Sequence, residues 1–504
     1  MGAETDIQKT EIQEADTQEA DTQGADMQRA DRTKTDMLHG SLWNKIPRYA
    51  LPVAATAILE QLFNASDIAV VGNFAVANRT AAVAAVGANS PIIGLILNLF
   101  IGIALGANVV IANAIGKNDK DTVHRAVHTS VVLALMGGVL VAVIGEVIAA
   151  KLLGVLHVPE DVFPLALAYL RIYLLGMPVI FLYNFEAAIF RSIGDTKSPL
   201  KALAVSGVLN VIFNLFFVIV LKLTVEGVAI ATVLANIISS AILFRKLIKS
   251  DQDIRLEIKA LRLDRNSLER IIRIGLPAGI QSAVFAIANI VIQSAINSLG
   301  TVVMAASSAA FNIECLVYDV LNSFGQACTT FVGQNFGAGQ LKRCRKTLAL
   351  CLAEGTLASA ASVVLVLFSG KFLLSIFTDQ PEVIALGYTR LVMIFTAYAF
   401  SMLYEVMSGY LRGFGISFVP AVLTTIGVCV VRIVWIHTVF PMSRTFQTIL
   451  TAYPVSLATT AVLILIALLC YRPSRRFEAE MFGKNGEGMK DTKGMKVAKI
   501  EKRD

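Results

Sequence analysis

The sequence predicts an all-α polytopic membrane protein, with twelve transmembrane helices in two six-helix pseudo-symmetric lobes around a central cleft. Three observations carry this expectation. First, the 504 residues are 55% hydrophobic and 16% charged, with a mean hydropathy of +0.66. A soluble domain is about 45–50% apolar and about 25% charged, so an ordinary water-soluble enzyme is excluded. Second, long apolar runs recur twelve times, each near or above the ~20 residues that cross a bilayer. Third, the Lys and Arg residues gather in alternate loops between those runs.

The chain opens without a secretory signal. Residues 1–40 hold ten acids and four bases, and residues 15–29 repeat Ala-Asp-Thr-Gln-like units. Such a segment has almost nothing to bury, so residues 1–46 are expected to be a disordered polar tail. The twelve runs follow at 49–74, 82–113, 123–150, 161–190, 198–221, 226–247, 268–297, 302–335, 344–370, 383–411, 418–440 and 447–471. Pro52, Pro178, Pro277 and Pro454 fall inside runs and are expected to bend them. The charged segment 248–267 separates the first six (47–247, an N-lobe) from the last six (268–472, a C-lobe). Residues 473–504 form a basic tail.

Orientation follows from the bases. The flanks and even-numbered loops hold 25 Lys and Arg, and the odd-numbered loops hold five. That bias places both termini in the cytoplasm. The two halves also echo each other. Arg191-Ser-Ile-Gly194 precedes Pro199, and Arg412-Gly-Phe-Gly415 precedes Pro420, 221 residues later. Tyr169-Leu-Arg171 recurs as Tyr388-Thr-Arg390, and Leu51-Pro52 as Leu276-Pro277. Two parallel six-helix repeats make a transporter architecture, with a cavity at the repeat interface.

Polar residues at membrane depth mark candidate sites, because a charge near the bilayer centre costs about 2.5–3.5 kcal/mol on insertion scales. In the first run Glu60, Asn64 and Asp67 stand at i, i+4 and i+7 on one face, with Gln61 at its border. Two carboxylates and an amide on one stripe suit a dehydrated cation or a shared proton; a hydrogen-bonded seam between helices is the other reading. The fifth run carries Asn210 and Asn214, and the sixth Thr232 and Asn236. Asn184 and Glu186, two apart in the fourth run, point in different directions, so at most one lines a given cavity. The second half offers amides (Gln281, Asn289, Gln293) and then Glu314, Tyr318, Asp319, Asn322 and Gln326. Glu405 and Arg432 are candidates to neutralise each other.

No enzyme constellation stands out. The six Cys, all between Cys315 and Cys470, have no paired spacing, and the five His are scattered. Neither a disulfide framework nor a metal centre is expected. Gly333 to Gly339 is Gly-rich but lacks the Lys-Ser/Thr of a phosphate-binding loop.

The chain resembles the multidrug and toxic compound extrusion (MATE) family over about 47–475. The resemblance rests on Asn64-Ala-Ser-Asp67 through Gly72, Tyr169 to Ile172, Arg191 to Pro199, Phe331 to Ala338, Leu411 to Gly415 with Pro420, and Arg432 to Trp435. It implies two six-helix lobes with a central cleft, and a cation-coupled antiporter, driven by H+ or Na+, that exports amphipathic, mostly cationic compounds. The coupling-ion residue it implies matches Asp67, with Asn210, Asn214 and Thr232 as partners; some relatives carry an Asp where Asn214 stands. Asn64 and Glu60 join that candidate site from their place on the stripe. The candidate cleft residues are Gln61, Gln281, Asn289, Gln293, Glu314, Asp319 and Glu405, and Arg432 is a structural charge. A second branch places a Glu early in the seventh helix, but Pro277 to Ala288 holds no acid. The runner-up function is a lipid-linked precursor flippase of the same superfamily. Those proteins commonly have two further helices and a basic cavity, neither evident in the sequence. No cofactor beyond the coupling ion and no nucleic-acid partner is expected. The expected partners are the lipid bilayer and a small organic substrate, for a monomer in the plasma membrane.

Overall fold

The computed structural model describes residues 35–74, 79–156 and 158–478. The repeat-rich start of the chain and most of the basic tail lie outside them. Among the described residues the structure is helical, with no strand. The first half comprises α1 (Lys45–Phe74), α2 (Arg79–Gly116), α3 (Lys120–Val155), α4 (Phe163–Leu175), α5 (Met177–Ser192), α6 (Lys197–Leu215) and α7 (Val225–Ile248). The second half comprises α8 (Arg265–Asn297), α9 (Thr301–Gly337), α10 (Leu341–Ser375), α11 (Pro381–Phe395), α12 (Tyr398–Gly413), α13 (Phe418–Thr424), α14 (Val431–Thr438) and α15 (Phe446–Tyr471). Single π-helical segments extend α6 (Phe216–Val220) and join α13 to α14 (Thr425–Val430).

Nine helical segments among the described residues are long and apolar enough to cross a bilayer, and eleven if α4–α5 and α11–α12 each count as one bent span. The twelfth expected span is α1. It has 30 residues, long enough to cross, but the polar stripe from Glu60 to Asp67 dilutes its apolar character.

The bent spans fall at equivalent places in the two halves. The α4–α5 break is 50° and the α11–α12 break 47°. At the first, Pro178 cannot donate to the preceding turn, and Gly176 N donates to both Ile172 O and Tyr173 O. The second break has no proline. There Ala397 N donates to Ile394 O, a tightened turn. The R-x-x-G motifs also fold alike. Gly194 and Gly415 adopt φ of +86° and +81°, a left-handed conformation that glycine reaches without a Cβ penalty. That turns the chain directly from α5 into α6 and from α12 into α13.

Each half builds its own core, but α1 and α8 cross between them. Ile46, Tyr49, Ala50 and Val53 at the start of α1 pack in the second-half core, while Val70 and Val71 near its end pack in the first. In α8, Ile271 and Ile274 pack in the first-half core, and Ile292, Ala295 and Ile296 in the second. The leading turns of both helices are thus exchanged between the two cores. Pro52 and Pro277 sit within these two crossing helices.

The lobes meet where α2 runs against α8. A Cβ on Gly102 would lie 2.2 Å from Gly279 N, and one on Gly106 would lie 2.3 Å from Ile271 O. At the end of α2, on the side of the chain termini, Gly116 packs as closely against Gln334 of α9. The cleft is closed on that side.

The expected disordered tail, 1–46, is corrected over its last part. Met37 and Leu42 are buried in the second-half core. Thr35 N donates to Gly194 O at 3.1 Å, across to the first half. Arg343 donates to the carbonyls of Met37, His39 and Gly40, and Asn335 Nδ2 to that of Met37. Residues 35–42 thus form a strap over the closed end, because two apolar side chains and a row of carbonyls find partners there. The inter-lobe segment 248–267 is also packed. Ile254 and Leu256 are buried, and Asp264 caps α8 by accepting from Ser267 N at 2.8 Å. Those Ser267 hydrogen bonds hold the Asp264 carboxyl below its usual range.

Because the α2–α8 crossing has no room for a side chain, Gly102→Val or Gly279→Val should destabilise the detergent-solubilised protein by roughly 1–3 kcal/mol. Thermal unfolding followed by intrinsic fluorescence checks this; Gly154→Ala, where a Cβ meets nothing within 4 Å, is the control.

Candidate functional site

Two polar sites occupy the interior. The first lies inside the first-half bundle, where α1, α6 and α7 meet. Asp67 is 4% exposed. Its Oδ1 accepts from Asn214 Nδ2 at 2.6 Å and its Oδ2 from Thr232 Oγ1 at 2.8 Å. Asn214 Nδ2 also donates to Asn210 Oδ1 at 3.1 Å, and Asn210 Nδ2 to Thr232 Oγ1 at 3.4 Å. Both donors to the carboxylate are neutral, and no Lys or Arg lies within ion-pair distance of it among the described residues. The i, i+4 spacing on α6 brings both amides to one face, and the π-helical segment begins two residues beyond Asn214. Such segments are frequent at functional sites. Asn214 Oδ1 is buried with no hydrogen-bond donor. A carboxylate, two amide oxygens and a hydroxyl are hard oxygen donors suited to H+ or Na+.

The second site is a cavity of about 420 Å³ between the lobes. Its first-half wall includes Tyr49, Asn98, Asn108, Asn184 and Arg191, and its second-half wall Gln281, Asn289, Glu314, Tyr318, Glu405, Arg412 and Arg432. At the closed end Tyr49 shares a hydrogen bond with Thr330, which donates to Asn108 Oδ1 at 2.9 Å. Glu405 accepts from Tyr318 OH at 2.9 Å. Volume, aromatic lining and a few polar groups fit a small-molecule site.

The MatE family model matches residues 52–216 and 277–437, the two halves in turn. The chain belongs to the MatE family. It is therefore a multi-span membrane transporter and not an enzyme, of a family that needs no cofactor. It is 25% identical over 393 residues to the probable multidrug resistance protein YoeA of Bacillus subtilis, covering 76% of this chain and 84% of that protein. It is 24% identical over 404 residues to the probable multidrug resistance protein NorM of Thermotoga maritima, covering 79% and 85%. A solved outward-facing multidrug resistance MATE transporter of the MOP superfamily superposes with a TM-score of 0.81 at 21% identity, covering 88% of this chain and 99% of that one. That superposition shows the fold.

Within this MatE fold the candidate residues divide sharply. Asp67, Asn210, Asn214 and Thr232 come together. Asn64 and Gln61 do not: both are exposed, because the α1 face that turns Asp67 into the bundle leaves them outside it. Glu60 is half-buried, two turns from Asp67, within Coulombic reach of Arg191. Gln281, Asn289, Glu314, Glu405 and Arg432 line the cavity, whereas Gln293 and Asp319 do not. Gln293 donates along its own helix to Asn297 at 2.8 Å. Asn184 faces the cavity, while Glu186, fully buried, turns into the bundle to accept from Ser240 at 2.9 Å.

The expected Glu405–Arg432 pair is corrected. Arg432 Nε donates to Ser456 Oγ at 3.0 Å, and its guanidinium lies 4.2 Å from the Tyr453 ring centroid. Arg432 sits deeper than Glu405, which turns to Tyr318. The buried ion pair of the second half is Glu314 with Arg390, at 2.6 Å and 3.0 Å through two nitrogens. Its signal was the repeated Tyr-x-Arg. In the first half the equivalent Arg171 pairs with Glu146 at 3.4 Å, half exposed. The pattern of bases along the sequence assigns Arg191 and Arg412 to loops as topology signals. Both lie in the last turn of their helices and line the cavity, so the expected absence of a basic cavity is corrected too.

Arg390→Met should cost about 3–5 kcal/mol by leaving Glu314 buried and unpaired, and Glu314→Leu added to it should recover most of that loss. Thermal unfolding of the three variants checks the cycle. Strictly additive losses would count against the pair.

Proposed function

We propose that the chain is a cation-coupled antiporter that exports small amphipathic organic compounds across the plasma membrane by alternating access. The observation that carries this reading is the Asp67 cluster. A buried carboxylate accepts two neutral donors and has no cationic partner, next to an amide oxygen with a vacant acceptor position. Hydrogen bonds directed at both carboxylate oxygens favour the ionised form, while burial favours the neutral one. Binding H+ or Na+ removes that conflict. The multidrug names of the relatives support drugs as cargo.

The coupling works through α1. Asp67 lies about 27 Å along the helix from Tyr49, which sits at the closed end of the cleft. α1 belongs to one bundle at its start and to the other near its end. Neutralising Asp67 changes how its last turns bind α6 and α7, and Pro52 gives the helix a place to bend. The second-half lobe holds no equivalent acid on α8, so a single coupling site in the first lobe suffices for this reading. Both termini face the cytoplasm, the cleft opens outward, and a monomer carries the full pathway. The lipid-linked precursor flippase remains the second reading, favoured by the arginines in the cavity.

Asp67→Asn in proteoliposomes should preserve insertion and abolish gradient-driven export, with H+ and Na+ gradients imposed separately to name the ion. Full ion-driven export by correctly inserted Asp67→Asn would move the coupling site to another acid. For topology, all six native Cys are replaced, and single cysteines are placed at Ser443 and Asp251, both exposed. Ser443→Cys should react with an impermeant thiol reagent in intact cells, and Asp251→Cys only after permeabilisation.

A further inference from the structure

The inter-lobe cavity holds an excess of positive charge. Arg191 and Arg412 occupy the same position of the two R-x-x-G motifs and approach it from opposite lobes; Arg432 is a third guanidinium on its wall. None has a carboxylate within 4 Å among the described residues. Their partners are neutral: Arg191 donates to Gln326 Oε1 at 3.5 Å, Arg412 to Gln281 Oε1 at 3.1 Å, and Arg432 to Ser456. Arg412 Nε is buried with no acceptor at all.

Two carboxylates line the same cavity, but one is spent. Glu314 is held by Arg390, which stands behind the wall. That leaves Glu405 alone against three guanidinium groups. Glu60 acts on Arg191 from outside the cavity wall. Unpaired charge at membrane depth is costly and invites a functional explanation. Guanidinium is the side-chain group best matched to carboxylate and phosphate.

We infer that the cavity binds organic anions: an aromatic body bearing a carboxylate or phosphate. The anionic group sits on Arg412, whose Nε lacks an acceptor, and Arg432 adds to the positive charge of the same wall. The aromatic body lies against Tyr404 and Tyr453, which line the cavity. An anion supplies the acceptor that Arg412 lacks, whereas a cation meets like charge. This inference rests on the reading of the cavity as the substrate site, and it replaces the cationic cargo expected from sequence.

The test is equilibrium binding to the full chain in phosphatidylcholine nanodiscs, read by fluorescence anisotropy. Fluorescein and rhodamine 123 share a xanthene body and differ in charge, the first anionic and the second cationic at neutral pH. Fluorescein should bind about tenfold tighter or better. Arg412→Gln should weaken fluorescein about tenfold, Arg412→Lys should restore part of that loss, and Arg432→Gln should act in the same direction. If Arg432→Gln does not fold, Arg191→Gln takes its place. Rhodamine 123 binding more tightly than fluorescein, or fluorescein affinity unchanged in the folded Arg412→Gln protein, overturns the inference. Adding phosphatidylglycerol to the nanodiscs separates the sources of the anion: displacement of fluorescein assigns it to a lipid headgroup, and retention to a soluble compound. No ion gradient is applied, so a failure of coupling through Asp67 and a failure of anion selectivity are read in separate experiments.

Discussion

Hydrocarbon offers no hydrogen bonds, so a polar side chain at membrane depth must find its partner inside the protein. Much of the interior is organised by that constraint. Asp67 is drawn into the first bundle by the Asn214 amide and the Thr232 hydroxyl, with Asn210 holding Asn214 behind them. Glu314 is drawn to Arg390, Glu186 to Ser240, and Glu405 to Tyr318. Each partnership fixes the rotation of a helix that apolar packing alone would leave loosely specified. Two of the buried polar atoms left without a partner, Asn214 Oδ1 and Arg412 Nε, lie at the two sites where the protein would meet something other than itself.

The same constraint gives the pseudo-symmetry its limits. The halves share the broken span, the left-handed glycine turn and the exchanged leading helix. They differ in what their charges do. Arg171 meets Glu146 at a half-exposed position, whereas its counterpart Arg390 is buried against Glu314. The first half holds Asp67 within its bundle without a cationic partner. The second half pairs Glu314 with Arg390 and brings Arg412 and Arg432 to the cleft. One scaffold thereby holds a candidate ion site in one lobe and much of the candidate substrate wall in the other.

The close α2–α8 crossing and the exchange of α1 and α8 tie the two candidate sites together. At the crossing the backbones approach without room for a Cβ, so the closed end is a rigid-body contact. The exchanged helices connect each bundle to the other's core. The strap at 35–42 adds a third tie, with its carbonyls held by Arg343 and Asn335 on one side and Thr35 bonded to Gly194 on the other.

The architecture was legible in the sequence because its signals are local or periodic. Apolar runs of bilayer length, alternating basic loops and motifs repeated 221 residues apart need no knowledge of tertiary contact. The Asn210/Asn214 pair was legible for the same reason, since i and i+4 share a helix face. What the sequence could not decide was rotation and depth. Asn64 and Gln61 lie within two turns of Asp67 yet face outward, and Asp319 misses the cavity that Glu314 and Tyr318 line. Arg191 and Arg412 look like loop bases because they end apolar runs, but the bends at α4–α5 and α11–α12 aim those helix ends at the cleft. Met37 and Leu42 look like part of a polar tail because only the assembled closed end offers them a place to be buried. The chain by itself determined which segments enter the membrane and in what order. The packing of one helix against another decided which polar atoms meet, because a hydrogen bond depends on ångström-scale placement that spacing along one helix does not carry.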